Sequence, residues 1–225
     1  MLKIVVEGLG DLAKDVVFVG GVIVELYVDD ISQVAEVRQT DDVDCIVEIA
    51  GRWAFTEFEE KLRRQKFEND QKVICRWHYK NITVDIMPTD KSIFGFSNQW
   101  YSDGIVNSIA YQIDETVSIQ ILSKPYFIAC KLEALFNRGM DDLRVSKDFE
   151  DIVFILNYST TVSNEVNNTS VKLKSFIKES CKRLLENPAL TEAIFCVLPY
   201  GENDPDYVNE IINRLKNLQK DLESG

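Results

Sequence analysis

Short apolar runs alternate with helical patterns through the first half of the chain, and helical patterns alone fill the second. "VVFVG" (16–20) is rich in β-branched residues and ends in glycine, which predicts a buried strand. The glycine pair Gly20-Gly21 then interrupts a run that resumes as "VIVELYV". Periodicity alone leaves that second run open between strand and helix, and a strand, Gly-Gly, helix entry is the simplest reading. Two adjacent glycines cost backbone entropy, roughly 0.5–1 kcal/mol each relative to alanine. Either a tight turn or a close approach to a phosphate would repay them. "VDCIVEI" (43–49) predicts a second strand, and "RWAFTEFEEKLRRQKF" (52–67) carries helical spacing. "KVICRWHY" (72–79) and "ITVDIMP" (82–88) flank Lys80-Asn81, a two-residue turn, and so predict a hairpin that Pro88 stops.

A loop rich in Gly, Ser and Asn (91–104) precedes the strand "SIQIL" (118–122). The next helix has Ser123 as its cap, Pro125 in its first turn and Gly139 at its end. Ser146 caps a second helix over 146–158, and the polar "STTVSNEVNNTS" (159–170) is linker-like. Three more helical stretches follow, the last opened by Asp204 and Pro205. These patterns predict the α+β class: a mixed β-sheet with flanking helices over 1–122, then an α-helical domain over 123–225.

Composition narrows the partners. With 225 residues at 45% hydrophobic, the chain can bury a core, and its net charge of −12 argues against a general nucleic-acid coat. A small basic pocket for one nucleotide or RNA end stays open. Five scattered cysteines without a CxxC pair suit reduced thiols, no stretch reads as a signal peptide or membrane span, and the expected location is the cytoplasm.

The densest chemistry lies in "RQTDDVDCIVEI" (38–49). Asp42 and Asp44, two apart at the start of a strand, leave on one face. Adjacent carboxylates repel, and a divalent cation between them removes the repulsion; oxygen ligands suit Mg²⁺ or Mn²⁺. The plain alternative is a solvated acidic turn. Asp85 sits mid-strand among Val84, Ile86 and Met87, where an unpaired carboxylate is expensive. It either joins Asp42 and Asp44 in a metal site suited to phosphoryl transfer, or pairs with Arg76 or Lys80 across the hairpin. Lys131 and Arg138 share a helix face, as do Asp148 and Asp151, which Lys147 precedes. These residues form a salt-bridged helix interface or a triphosphate-binding group; spacing does not separate the two. His78, the one histidine, has no partners for a zinc site or a triad. The basic runs 60–66 and 172–183 read as solvated helix faces, and Trp100, Tyr101 and Phe94–Phe96 as core caps rather than base stackers.

The strand ending in Gly-Gly, "RQTDDVDCIV", "TVDIMP", and "ACKLEALFNRG" followed by "KDFEDIVFIL" together resemble the AbiEii-type nucleotidyltransferases, abortive-infection and toxin proteins of the DNA polymerase β-like nucleotidyltransferase superfamily. The resemblance covers roughly residues 15 to 157. It implies a nucleotidyltransferase-like sheet and Mg²⁺-dependent transfer of a nucleotide from an NTP to an RNA (tRNA-like) or protein acceptor, with a cognate antitoxin as a further partner. By the same resemblance, Gly20 and Gly21 form the nucleotide-binding turn, and Asp42, Asp44 and Asp85 hold the catalytic metals. Lys131, Lys147 and Asp148 then bind the nucleotide, with Arg138 beside Lys131 on the same helix face. Val22 stands where the family turn has Ser or Thr, and residues 22 to 41 make a long gap before the first acid. These departures define the alternative: a nucleotidyltransferase-like protein that binds a nucleotide or partner without transfer.

Overall fold

The structure is a computed structural model that describes residues 1–34 and 40–220. These group into two units, 1–23 with 40–123 and 24–34 with 124–220.

The first unit is built on seven strands: β1 (Val16–Val19), β2 (Asp42–Val47), β3 (Glu68–Asn69), β4 (Arg76–Tyr79), β5 (Ile82–Pro88), β6 (Ile109–Gln112) and β7 (Ser118–Ile121). They form one sheet in the order β3-β4-β5-β2-β1-β7-β6. β2 runs antiparallel to β1 and parallel to β5, and β7 runs parallel to β1, so the sheet is mixed. Cross-strand partners share a face, and the register therefore sorts the side chains. One face carries Phe18, Val43, Cys45, Trp77, Val84 and Ile86, all buried. The other carries Asp42, Asp44, Arg76, Thr83 and Asp85, all half-buried.

Helix α1 (Leu2–Leu9) buries Val5, Val6 and Leu9, and α2 (Arg52–Arg64) buries Phe55, Phe58 and Leu62 at helical spacing. Arg63 lies over the Trp77 ring at 5.5 Å, which puts α2 on the apolar face. The hairpin turn is as predicted. Lys80 and Asn81 both have positive φ (47° and 63°), the signature of a type I′ turn. Strand β4 starts later than the pattern suggests. The Asp70 carboxylate accepts hydrogen bonds from the Lys72 and Val73 amides (2.7 and 2.9 Å), so the chain is still turning there. The loop expected over 91–104 contains two short helices, α3 (Lys91–Phe94) and α4 (Tyr101–Val106).

The second unit holds α5 (Lys124–Arg138), α6 (Lys147–Tyr158), α7 (Val162–Asn167), α8 (Val171–Leu185), α9 (Leu190–Val197) and α10 (Pro205–Lys220). Its long helices bury stripes three and four residues apart, such as Leu173, Ile177, Cys181 and Leu184 on α8 and Val208, Ile211, Leu215 and Leu218 on α10. The caps predicted at Ser146 and Asp204 hold. Ser146 Oγ accepts from the Phe149 amide at 3.3 Å, and Asp204 Oδ1 from the Asp206 and Tyr207 amides at 2.8 and 3.2 Å.

The linker-like stretch 159–170 is different from its reading. It folds as α7, with Val162 and Val166 buried, and its polar residues are engaged. Thr160 donates from its amide and hydroxyl to Asp29 (both 2.7 Å), and Lys124 Nζ donates to Ser159 and Thr161 (2.8 and 2.6 Å). Polar composition here reflects local hydrogen bonding rather than a spacer. The run after Gly20 also departs from the α-helix of the simplest reading, forming a 3₁₀ helix over Gly21–Tyr27.

Candidate functional site

Strand order decides what happens to the acids. β2 lies between β1 and β5, and its parallel register with β5 sets Asp44 opposite Asp85 and Asp42 opposite Thr83. Asp42, two residues before Asp44, shares its face. Carboxylate oxygens of Asp42, Asp44 and Asp85 consequently lie within 4.8 Å of one another, and all three residues are half-buried. The predicted convergence of these acids is what the sheet produces.

The first glycine has a physical reason in the same place. On β1, Val19 is the cross-strand partner of Asp44, so Gly20 follows directly beside that side chain. Gly20 has φ +74°, and a Cβ there would lie 2.7 Å from Asp44 Cγ and 2.8 Å from its Cβ. Only a residue without a side chain leaves Asp44 its position. The glycine therefore makes room for an acid of the site; approach to a phosphate is a separate matter. Gly21, half-buried, opens the 3₁₀ helix.

Asp85 also meets its other expected partner. The hairpin register sets Arg76 opposite Asp85, and the guanidinium grips the carboxylate with both ends, Nε to Oδ1 and Nη2 to Oδ2, each at 2.8 Å. The two readings of Asp85 are not exclusive: it belongs to the acidic group and to an ion pair. The hydrogen bonds from Arg76 to Asp85 hold the guanidinium protonated beyond its usual range despite its partial burial, and the charges of Asp85 and Asp42 add to this. Behind the acids, burial drives the Cys45 thiol far above its ordinary 9.0, helped by the charges of Asp44 and Asp85. Cys75 is pushed up to about 11 by burial and then by Asp85. Cys45 belongs to the apolar face, and the side chains that converge on the other face, Asp42, Asp44 and Asp85, offer carboxylate oxygens. Three hard oxygen donors, with the space over Asp44 kept by Gly20, fit Mg²⁺ or Mn²⁺.

In the second unit, Ser146 starts α6 so that Asp148 and Asp151 fall in and just after its first turn, one above the other. Lys131 Nζ stands between them, 3.2 Å from Asp148 Oδ1 and 2.6 Å from Asp151 Oδ2. Arg138 Nε and Nη2 reach Asp148 Oδ2 at 3.0 and 2.9 Å. Asp148 and Asp151 are 5% and 1% exposed. Lys131, Arg138 and Asp148 are thus brought together, along with Asp151. Lys147 is not: it is exposed and makes no hydrogen bond or ion pair among the described residues. Gly139, after α5, is tightly placed too, since a Cβ there would fall 2.6 Å from Ser146 Oγ.

Other residues take structural roles. His78 Nε2 lies 2.9 Å from Asp70 Oδ2 and ties down the turn before β4. Trp100 is 1% exposed and belongs to the core. The basic run on α2 is partly matched by Glu59–Arg63 and Glu60–Arg64 pairs one turn apart. Arg38 and Gln39 of the R-x-T-D-D-V-D signature lie outside the described residues. Arg76 is the residue that sequence reasoning left out of the site. Its signal was the two-residue turn at 80–81, which fixes the pairing of 76 with 85. No helix among the described residues is long and apolar enough to cross a membrane.

No protein-family model matches the chain, and no curated protein matches it in sequence. Among solved structures it is similar to JHP933 from Helicobacter pylori, with a TM-score of 0.50 and 14% identity over 99% of this chain and 90% of that one. A second H. pylori protein, provisionally named a nucleotidyltransferase, aligns over 99% of this chain and 93% of its own, with a TM-score of 0.46 and 12% identity. The likeness to JHP933 shows the fold alone.

Proposed function

We propose that this protein is a metal-dependent nucleotidyltransferase of the AbiEii type, moving a nucleotide from an NTP to a hydroxyl of an RNA (tRNA-like) or protein acceptor, with a cognate antitoxin as its partner. The observation that carries the reading is the convergence of Asp42, Asp44 and Asp85 from two neighbouring parallel strands, with a glycine kept where any side chain would displace Asp44. These three carboxylates would hold Mg²⁺ or Mn²⁺. A bound ion there supplies positive charge to the triphosphate and lowers the pKa of the acceptor hydroxyl.

The chain's own part is placement. Asp42 and Asp44 are fixed by strand pairing, and Asp85 is fixed by strand pairing and by Arg76. The backbone at Gly20 and Gly21 offers a turn without side chains to the phosphates. The resemblance gives Lys131, Lys147 and Asp148 to the nucleotide, and Arg138 joins them by sharing a helix face with Lys131. In the transfer, the acceptor oxygen bonds to the α-phosphorus as its proton passes to solvent, the bond from the α-phosphorus to the bridging oxygen breaks, and pyrophosphate leaves with that electron pair. Preorganised charge and positioning are the main sources of rate in such chemistry.

Incubation of the protein with each α-labelled NTP, Mg²⁺ and a cell extract tests this. Label in RNA or protein is expected, and Asp42→Ala and Asp44→Ala remove it while the fold, followed by circular dichroism, stays intact. Full transfer by both variants would sink the assignment. Val22 favours the second reading, a protein that binds without transfer, because the turn has no hydroxyl to assist a phosphate. Saturable NTP–Mg²⁺ binding with no labelled acceptor would select it.

A further inference from the structure

We propose that Arg76 is a built-in counter-ion of the acidic centre, a positioning residue that holds Asp85 in place before a metal arrives and then competes with the metal for its oxygens. The inference rests on the metal reading of Asp42, Asp44 and Asp85.

The geometry is specific. Both Asp85 oxygens receive a hydrogen bond from one guanidinium, at 2.8 Å each, so whichever oxygen Asp85 offers to an ion is already shared. The fork is fixed by the backbone: the tight turn at Lys80-Asn81 sets the register, and the register sets Arg76 against Asp85. The Arg76 side chain is 32% exposed and that of Asp85 13%, so the cation is the more exposed member of the pair.

Two consequences follow from one charge. Carboxylates this close repel, and in a half-buried setting water screens them incompletely. A fixed cation at Asp85 offsets that repulsion, and the acids keep their arrangement in the metal-free fold. The same cation repels an incoming divalent ion and occupies one of its ligands. Arg76 thus trades metal affinity for a preformed site. A bidentate Arg–carboxylate pair suits this task because its planar fork fixes orientation as well as charge.

Thermal unfolding across a Mg²⁺ titration, repeated with Mn²⁺, reads both consequences without any transfer assay. Arg76→Gln is expected to melt lower than wild type in EDTA, and to reach half-maximal stabilisation at a metal concentration about tenfold lower, since a unit charge beside the ion is gone. Arg76→Lys keeps the charge and loses the fork, so its metal midpoint stays within about twofold of wild type while its EDTA melting point falls. An Arg76→Gln midpoint that is unchanged or higher overturns the proposal. If that variant does not fold, a tenfold midpoint shift in Arg76→Lys overturns it instead. Wild type unmoved by either ion overturns the metal reading, and this proposal with it. A wild type that responds, beside an Arg76→Gln that responds identically, overturns this proposal alone.

Discussion

The two clusters of acids in this protein are arranged in opposite ways. On the sheet, Asp42, Asp44 and Asp85 turn their oxygens toward one another, all within 4.8 Å. On the helices, Asp148 and Asp151 do not face each other alone; Lys131 stands between them and Arg138 closes on Asp148. Acid beside acid is an arrangement that a fold maintains at a cost, and acid beside base is one that the fold uses. The sheet acids are half-buried, whereas the helix acids are nearly inaccessible. Burial and pairing together set the two clusters apart, where residue type alone does not.

Removing Lys131, the cation between the two acids of the helical cluster, is expected to have the largest effect. Lys131→Met leaves two buried carboxylates without it, and breaking a buried pair from one side costs about 3–5 kcal/mol. Urea unfolding measures it, and a loss below 1 kcal/mol would mean that the cluster is not a tie. Gly20→Ala comes next. It combines a left-handed φ with overlap on Asp44, which together are worth about 1–3 kcal/mol in destabilisation. The same denaturation series, run with and without Mg²⁺, should show a blunted metal response. Asp42→Asn sharpens the comparison by its sign. Unlike the lysine variant, it should keep or slightly raise the unfolding free energy in EDTA, by less than about 1 kcal/mol, and lose the stabilisation that Mg²⁺ gives wild type.

The smallest expected effect is on pH, at the outer strands. The hydrogen bond from His78, then those from the Lys72 and Val73 amides, hold the Asp70 carboxyl below its ordinary 3.8. A carboxyl with a depressed folded pKa contributes stability above its unfolded value and loses it as pH falls through the folded one. Acid titration of the melting point should therefore steepen below about pH 4 in wild type and flatten in Asp70→Asn.

Much of this was legible in the chain. The period-2 spacing of Asp42 and Asp44 put both on one face, and Asp85 announced itself as a charge inside an apolar strand. The caps Ser146 and Asp204 marked their helices correctly. What pattern could not supply was adjacency of distant strands: that β2 lies beside β5, and β1 on its other side, is a property of the whole sheet. The reason for Gly20 was hidden for that cause, since its neighbour Asp44 is far along the chain. Arg76 was visible as a partner for Asp85, but not as a companion to the other acids. The stretch 159–170 misled because its polar residues serve Asp29 and Lys124, partners that local composition does not reveal.

The central claim is that Asp42, Asp44 and Asp85 hold a divalent ion, and Mn²⁺ binding followed by electron paramagnetic resonance tests it most directly. Wild type is expected to bind Mn²⁺ saturably, with Asp44→Ala weaker by at least about tenfold, the loss of one carboxylate ligand and its charge. Equal Mn²⁺ affinity in wild type and Asp44→Ala would contradict it.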